Sequence, residues 1–210
     1  MYLQTCHKLH SFVVHKNLTT MKTIEKQLEK LNACRPARKW AKGKSWQEIY
    51  NTCHRGDWLL WLYAMTREDN EDTLRLLTLA KARCAATVKH LMKDERSIKA
   101  LEVAEAYGLG KVSREELDAA ATDSRAAYAA AAGVAADAAA AAADADATVA
   151  YVADAAANAA DAAYIAAREA AATDSRAAAN AAYAKNQQET ADIVRKTIPI
   201  QLWVGIEFDN

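Results

Sequence analysis

The chain has 210 residues and equal numbers of basic and acidic side chains, 27 of each, so its summed charge is zero and argues against nucleic-acid binding by the chain as a whole. Six glycines and two prolines are too few for a β-sandwich, a barrel or a disordered linker protein. No run of about 18 strongly apolar residues occurs, which argues against a membrane span, and the composition points to an all-α cytoplasmic protein.

Residues 1–20 read as a flexible N-terminal extension. Their longest apolar run is Phe12-Val13-Val14, unlike the core of a signal peptide. His7, His10 and His15 lie here at a spacing that matches no ligand pattern, so no metal is assigned. Cys6, Cys34, Cys53 and Cys84 form no C-x-x-C pair and read as free thiols of a reducing compartment. Residues 21–197 read as a single helical domain, with a basic Leu/Trp-rich half (21–117) and an alanine-rich half (118–184). Residues 1–117 carry 21 basic and 14 acidic side chains, +7; residues 118–184 carry 3 and 9, −6. Either the halves pack and cancel, or a basic face stays open to an anionic ligand.

Ile24, Leu28 and Leu31 mark a helix over 21–33. Pro36 and Gly43 punctuate a basic loop, Arg35 to Lys44. Ser45 and Glu48 make a capping box for a short helix through Cys53. Gly56 is expected to end that helix with a positive φ, and Asp57 to cap the next. Trp58, Trp61 and Leu62 share a face there, read either as core anchors or as an aromatic wall for a planar ligand. Residues 71–92 form an amphipathic helix with Leu74, Leu77, Cys84, Val88 and Leu91 on one face and Lys81 in the one missing place. Arg83 adds to its basic character, and His90 lies near its end, where the helix dipole favours protonation. Asp94 and Glu95 open a further helix carrying Arg96 and Lys99, closed by Gly108-Leu109-Gly110. Ser113 and Glu116 form a second capping box.

From Asp118 to Ala184, 39 of 67 residues are alanine, the strongest helix former. One straight helix of that length would span roughly 100 Å, so the segment must fold back. The hexapeptide Thr-Asp-Ser-Arg-Ala-Ala occurs at Thr122 and at Thr173 and marks either helix starts or polar turns within helices; Gly133 and Asp144 to Asp146 are other break points. Alanine helices approach closely, and these are expected to pack on the Leu/Trp-rich half and to pair across a homo-oligomer. Asp137, Asp144, Asp154 and Asp161 form a stripe, read as solvated rather than metal-binding. Residues 198–210 read as an extended C-terminal tail in which Trp203 either crosses to a neighbouring chain or plugs the core of its own. The expected fold is an alanine-rich helical bundle with long close-packed helices and a short extended C-terminal arm.

The stretch Asp94-Glu95-Arg96-x2-Lys99-Ala100-Leu101-Glu102-x-Ala104-x2-Tyr107-x2-Gly110-x2-Ser113-x2-Glu116-Leu117, running into alanine, resembles the immunity protein family of polymorphic-toxin loci, and the block from Gly56 to Leu62 resembles its bacteriophage variants. The resemblance implies a non-enzymatic binder. For a phage-borne member it implies counter-defence: a sponge for a nucleotide-derived immune signal, either a cyclic nucleotide or a cyclic ADP-ribose isomer. The alternative is an immunity protein that covers a toxin by direct contact. A nucleotide needs cations for phosphate and aromatic faces for the base, and Arg96, Lys99, Trp58, Trp61, Arg83 and His90 are the candidate ligand-binding residues. No nucleophile elbow, phosphate loop or metal cluster marks an enzyme, and no cofactor is implied.

Overall fold

Local start and stop signals set the elements. The computed structural model describes residues 24–130, 134–143, 154–170 and 175–203, and among them all regular structure is helical. The expected extension over 1–20, the breaks near Gly133 and Asp144, and the tail beyond Trp203 lie outside the described residues. None of the described helices is long and apolar enough to cross a membrane.

Of the described residues, those up to Thr52 form one compact unit and those from Cys53 onward form a second. The first contains α1 (residues 24–30), α2 (Arg35–Ala41) and α3 (Trp46–Thr52). Asn32 ends α1 with a φ of 58°, a conformation that Asn tolerates better than most residues. The basic stretch expected as a loop is instead helical through Ala41. Pro36 sits in the first turn, where its missing N–H breaks no helical bond, and Gly43, at φ 77°, makes the turn into the next segment. The first capping box forms: Ser45 N–H donates to Glu48 Oε2 at 2.7 Å, and Glu48 N–H donates to Ser45 Oγ at 3.2 Å. Trp46 Nε1 donates to Gln27 Oε1 at 3.2 Å and ties α3 to α1.

The second unit contains α4 (Gly56–Thr66), α5 (Glu71–Ala86), α6 (Glu95–Gly108), α7 (Arg114–Ala130), α8 (Val134–Ala143), α9 (Asp154–Ala170) and α10 (Ser175–Thr197), with 3₁₀ turns at Lys89–Leu91 and Ile200–Leu202. Helix α5 is the hub, packing on α4, α6, α8, α9 and α10. It stops at Ala86 rather than running to residue 92. There the Thr87 hydroxyl donates to Cys84 O at 2.7 Å while the Thr87 and Val88 N–H groups take the carbonyls three residues back, which tightens the chain into 3₁₀ geometry.

The alanine helices pack on the leucine-bearing ones, as their composition requires. Ala138, Ala139, Ala142 and Ala143 of α8 and Ala155 and Ala159 of α9 are completely buried in one cluster with Ala85, Ala100, Leu101, Tyr107 and Leu117. Each methyl contributes little area, so the cluster depends on close backbone approach. Gly108 makes the same use of smallness: a Cβ there would lie 2.5 Å from Leu79 Cβ and 2.8 Å from Leu79 Cα.

The two hexapeptide copies behave differently. Thr122 lies inside α7, and its hydroxyl donates back to Asp118 O at 2.9 Å instead of capping a new helix. The second copy contains a helix start, since α10 begins at its third residue, Ser175. Pro199 stops α10 after Thr197, but the described residues beyond it do not form an extended arm. A 3₁₀ turn returns Trp203 to the core of its own unit, where its ring centroid lies 5.6 Å from that of Tyr63 and its Nε1 donates to Ile198 O at 3.1 Å.

A polar node locks α6 to α5. Tyr107, completely buried, donates its hydroxyl to Glu71 Oε1 at 2.9 Å; Arg75 lies over its ring at 4.5 Å and donates to Tyr107 O at 2.8 Å. Burial, then the Glu71 carboxylate, pushes the phenol up to about 12. An unfolded tyrosine ionises near pH 10. This residue's contribution is therefore complete below pH 10 and is lost as the pH rises towards 12, because the unfolded chain releases the proton first. Tyr107→Phe is expected to cost about 1 kcal/mol at pH 7 and to flatten the decline of stability between pH 10 and 12. Urea unfolding across that range checks both; a decline as steep as in the parent protein would remove Tyr107 as its source.

Candidate functional site

The beginning of α4 brings charge and aromatic surface together. Gly56 does not end the preceding helix; it is the first residue of α4, and Asp57 comes next inside the first turn rather than capping it. The reason is packing. A Cβ on Gly56 would stand 2.5 Å from Thr190 Oγ1 and 2.7 Å from the Thr190 carbonyl carbon, so glycine is what lets α4 meet α10. Freed from capping, the Asp57 carboxylate grips Arg55. Arg55 Nε donates to Oδ1 at 2.8 Å and Nη2 to Oδ2, a two-point contact that fixes the guanidinium plane. That guanidinium lies over the Trp58 ring, 4.8 Å from its centroid, and His54 flanks the same indole at 6.5 Å.

Trp58 and Trp61 are half-buried, so they are not the anchors of α4. Leu59, Leu60 and Tyr63 are, at 0–1% exposure. Helix α4 is enclosed by α5, α9 and α10, and the arc that faces them is filled by these residues, leaving the tryptophan pair at its margin. Trp58 and Trp61, three residues apart, thus present indole surface along one side of the helix.

Two further helices reach this corner. Burial raises the Asp161 carboxyl of α9 above the usual range; Arg55 opposes the shift and Asp57 adds to it. Burial also raises the Tyr183 phenol of α10, with Arg55 opposing and Asp161 and Asp57 adding. Arg55 is thus paired with Asp57 and acts electrostatically on Asp161 and Tyr183. Farther along the same interface, Lys81 of α5 is buried to 1% exposure. Partial burial raises the carboxyl of Asp154, the first residue of α9, and the Lys81 charge opposes part of that shift.

The six candidate residues are spread over α4, α5, α6 and the turn between the last two. Arg83 donates to Thr197 Oγ1 at 3.2 Å and faces Glu105 at 3.8 Å. Arg96 is held by its own cap, Asp94, at 2.8 Å. Lys99 and His90 are exposed. Only the tryptophans belong to the corner at the start of α4. Arg55, Asp161, Tyr183 and Lys81 were not among the candidates. The one sequence signal for them was Lys81, standing where the apolar stripe of α5 calls for a leucine. Among the described residues, no group of three or more His, Cys, Asp or Glu side chains is arranged to hold a metal ion. No family model, curated protein or solved structure matches the chain.

Proposed function

We propose that this protein is a non-enzymatic counter-defence binder, phage-encoded and acting in the bacterial cytoplasm as a homo-oligomer. It sequesters a nucleotide-derived immune signal, a cyclic nucleotide or a cyclic ADP-ribose isomer, and releases it unchanged. The observation that supports this reading is the Arg55–Trp58 stack beside Trp61. An indole pair at the margin of the core, with one ring already carrying a guanidinium held in plane by Asp57, offers the flat, polarisable surface on which a base stacks. Because Asp57 pairs with Arg55, this corner suits the base rather than the phosphate. In this reading the phosphate needs a cation other than Arg55, and the candidates Arg83, Arg96, Lys99 and His90 lie outside the corner.

The test is thermal. A ligand at one hundred times its dissociation constant adds about 2.7 kcal/mol, which for a chain of this size raises the melting temperature by about 5 °C or more. Trp58→Ala is expected to abolish that shift, and denaturation should return the nucleotide intact by mass spectrometry. A panel of cyclic nucleotides and cyclic ADP-ribose isomers that leaves the melting curve unmoved overturns the proposal. Stable co-purification with a toxin encoded beside it would then favour direct protein neutralisation.

A further inference from the structure

The zero net charge conceals a segregation along the chain, with the change at Cys53. Residues 1–52 carry ten basic and three acidic side chains, +7, whereas residues 53–117 carry eleven of each. The entire basic excess of the first 117 residues thus precedes Cys53, where the second unit begins.

Helix α2 gives that charge a shape. Arg35, Arg38, Lys39 and Lys42, the last at the C-cap, stand at i, i+3, i+4 and i+7 and lie along one side of the helix, and all four are exposed. The other side buries Ala41 and half-buries Ala37 and Trp40. Like charges four residues apart repel; Arg35 in the first turn opposes the helix dipole, which no acidic residue there offsets, whereas Arg38, Lys39 and Lys42 stand at the C-terminal end that the dipole favours. Arg38 meets Glu29 at 3.7 Å, but both are well exposed and such a pair stabilises little. Lys26 and Lys30 of α1 add two further exposed cations to the same unit.

We propose that this face of α2 binds the phosphate backbone of a nucleic acid without reading its sequence. From Arg35 to Lys42 the stripe runs about 10 Å, and with the reach of its long side chains it can meet about three successive phosphates of one strand. A membrane surface would call for an exposed apolar side to insert, and the apolar residues of α2 face inward. A protein partner would call for an apolar centre within the patch, and the stripe contains only cations. The neutrality that excludes nucleic acid for the chain as a whole does not describe this unit.

The experiment uses the full chain and a fluorescein-labelled single-stranded 20-mer of thymidylate, read by anisotropy between 50 and 200 mM NaCl. With about three phosphates neutralised, affinity is expected to fall roughly 20-fold over that range. The triple variant Arg38→Gln/Lys39→Gln/Lys42→Gln, whose sites are exposed, should bind at least tenfold more weakly at 50 mM, with a flatter salt dependence and an unchanged melting temperature. Lys93→Gln/Lys111→Gln/Lys185→Gln, exposed in the second unit, should bind like the parent. No binding at 50 mM overturns the proposal, as does equal affinity in the α2 variant or an equal loss in the control. Binding to phosphatidylserine vesicles but not to the oligonucleotide overturns it in favour of a membrane.

Discussion

Gly56→Ala is expected to lower the unfolding free energy by about 2 kcal/mol, although the same exchange within an unobstructed helix raises stability by roughly 0.5–1 kcal/mol. The sign is decided by Thr190. Its hydroxyl, 2.5 Å from the new methyl, can rotate away; its carbonyl carbon, at 2.7 Å, cannot. Thr190 is also held in place, with its hydroxyl donating to Gln187 O at 3.0 Å and its carbonyl accepting the Cys84 thiol at 3.7 Å. The strain therefore moves α4 off α10. Arg55 and Asp57 flank the substituted residue, so the Arg55–Trp58 stack shifts with it, and tryptophan fluorescence should change in the folded variant. Urea unfolding gives the energy. A midpoint that rises instead of falling would mean that α4 and α10 do not approach as closely as Gly56 implies.

Features written in a few adjacent residues were legible in the sequence. The capping boxes at Ser45 and Ser113 form with hydrogen bonds of 2.7–3.3 Å. Gly110, at φ 71°, closes α6 through bonds from its own N–H to Tyr107 O and from Lys111 N–H to Ala106 O. Pro199 stops α10 where its ring geometry demands. Features decided by packing were misread or left open. Gly56 looks like a helix terminator until Thr190 is placed against it. Thr122 fits a cap or a polar site within a helix until its hydroxyl is seen bonding back within α7. The tryptophan pair reads as core by size alone, yet the arc of α4 that α5, α9 and α10 enclose is filled by Leu59, Leu60 and Tyr63. For the candidate site, the sequence supplied the tryptophans but not their partners. Arg55, Asp161 and Tyr183 are spread over 129 positions, and their common ground is the packing of α9 and α10 against the start of α4, which no periodicity encodes.

Lys81 carries the largest expected effect. Its place in α5 belongs to the apolar stripe, and the structure buries it to 1% exposure instead of letting the ammonium reach water. Lys81→Ala removes the buried side chain's packing and leaves Asp154 without the charge that opposes the upward shift of its carboxyl. Cavity and electrostatics act in the same direction, and a loss of about 3 kcal/mol or more is expected. The informative comparison is Lys81→Met, which keeps most of the volume and removes only the charge. By itself it still leaves the half-buried Asp154 without that opposing charge. Combined with Asp154→Ala it removes both of the opposite charges that act on each other across α5 and α9, and replacing such a pair with apolar groups is often neutral or stabilising. The double variant should thus recover most of the stability lost in either single one, a coupling of at least about 1 kcal/mol in a double-mutant cycle. Additive losses would show that Lys81 serves α9 through packing alone. A Lys81→Ala protein as stable as its parent would show that the side chain is not enclosed. If the coupling is found, the buried charge supplies what alanine cannot. Methyl groups on α8 and α9 hold these helices close without fixing their register, whereas a buried charge on α5 that acts on Asp154 of α9 favours a single alignment of that helix along α5.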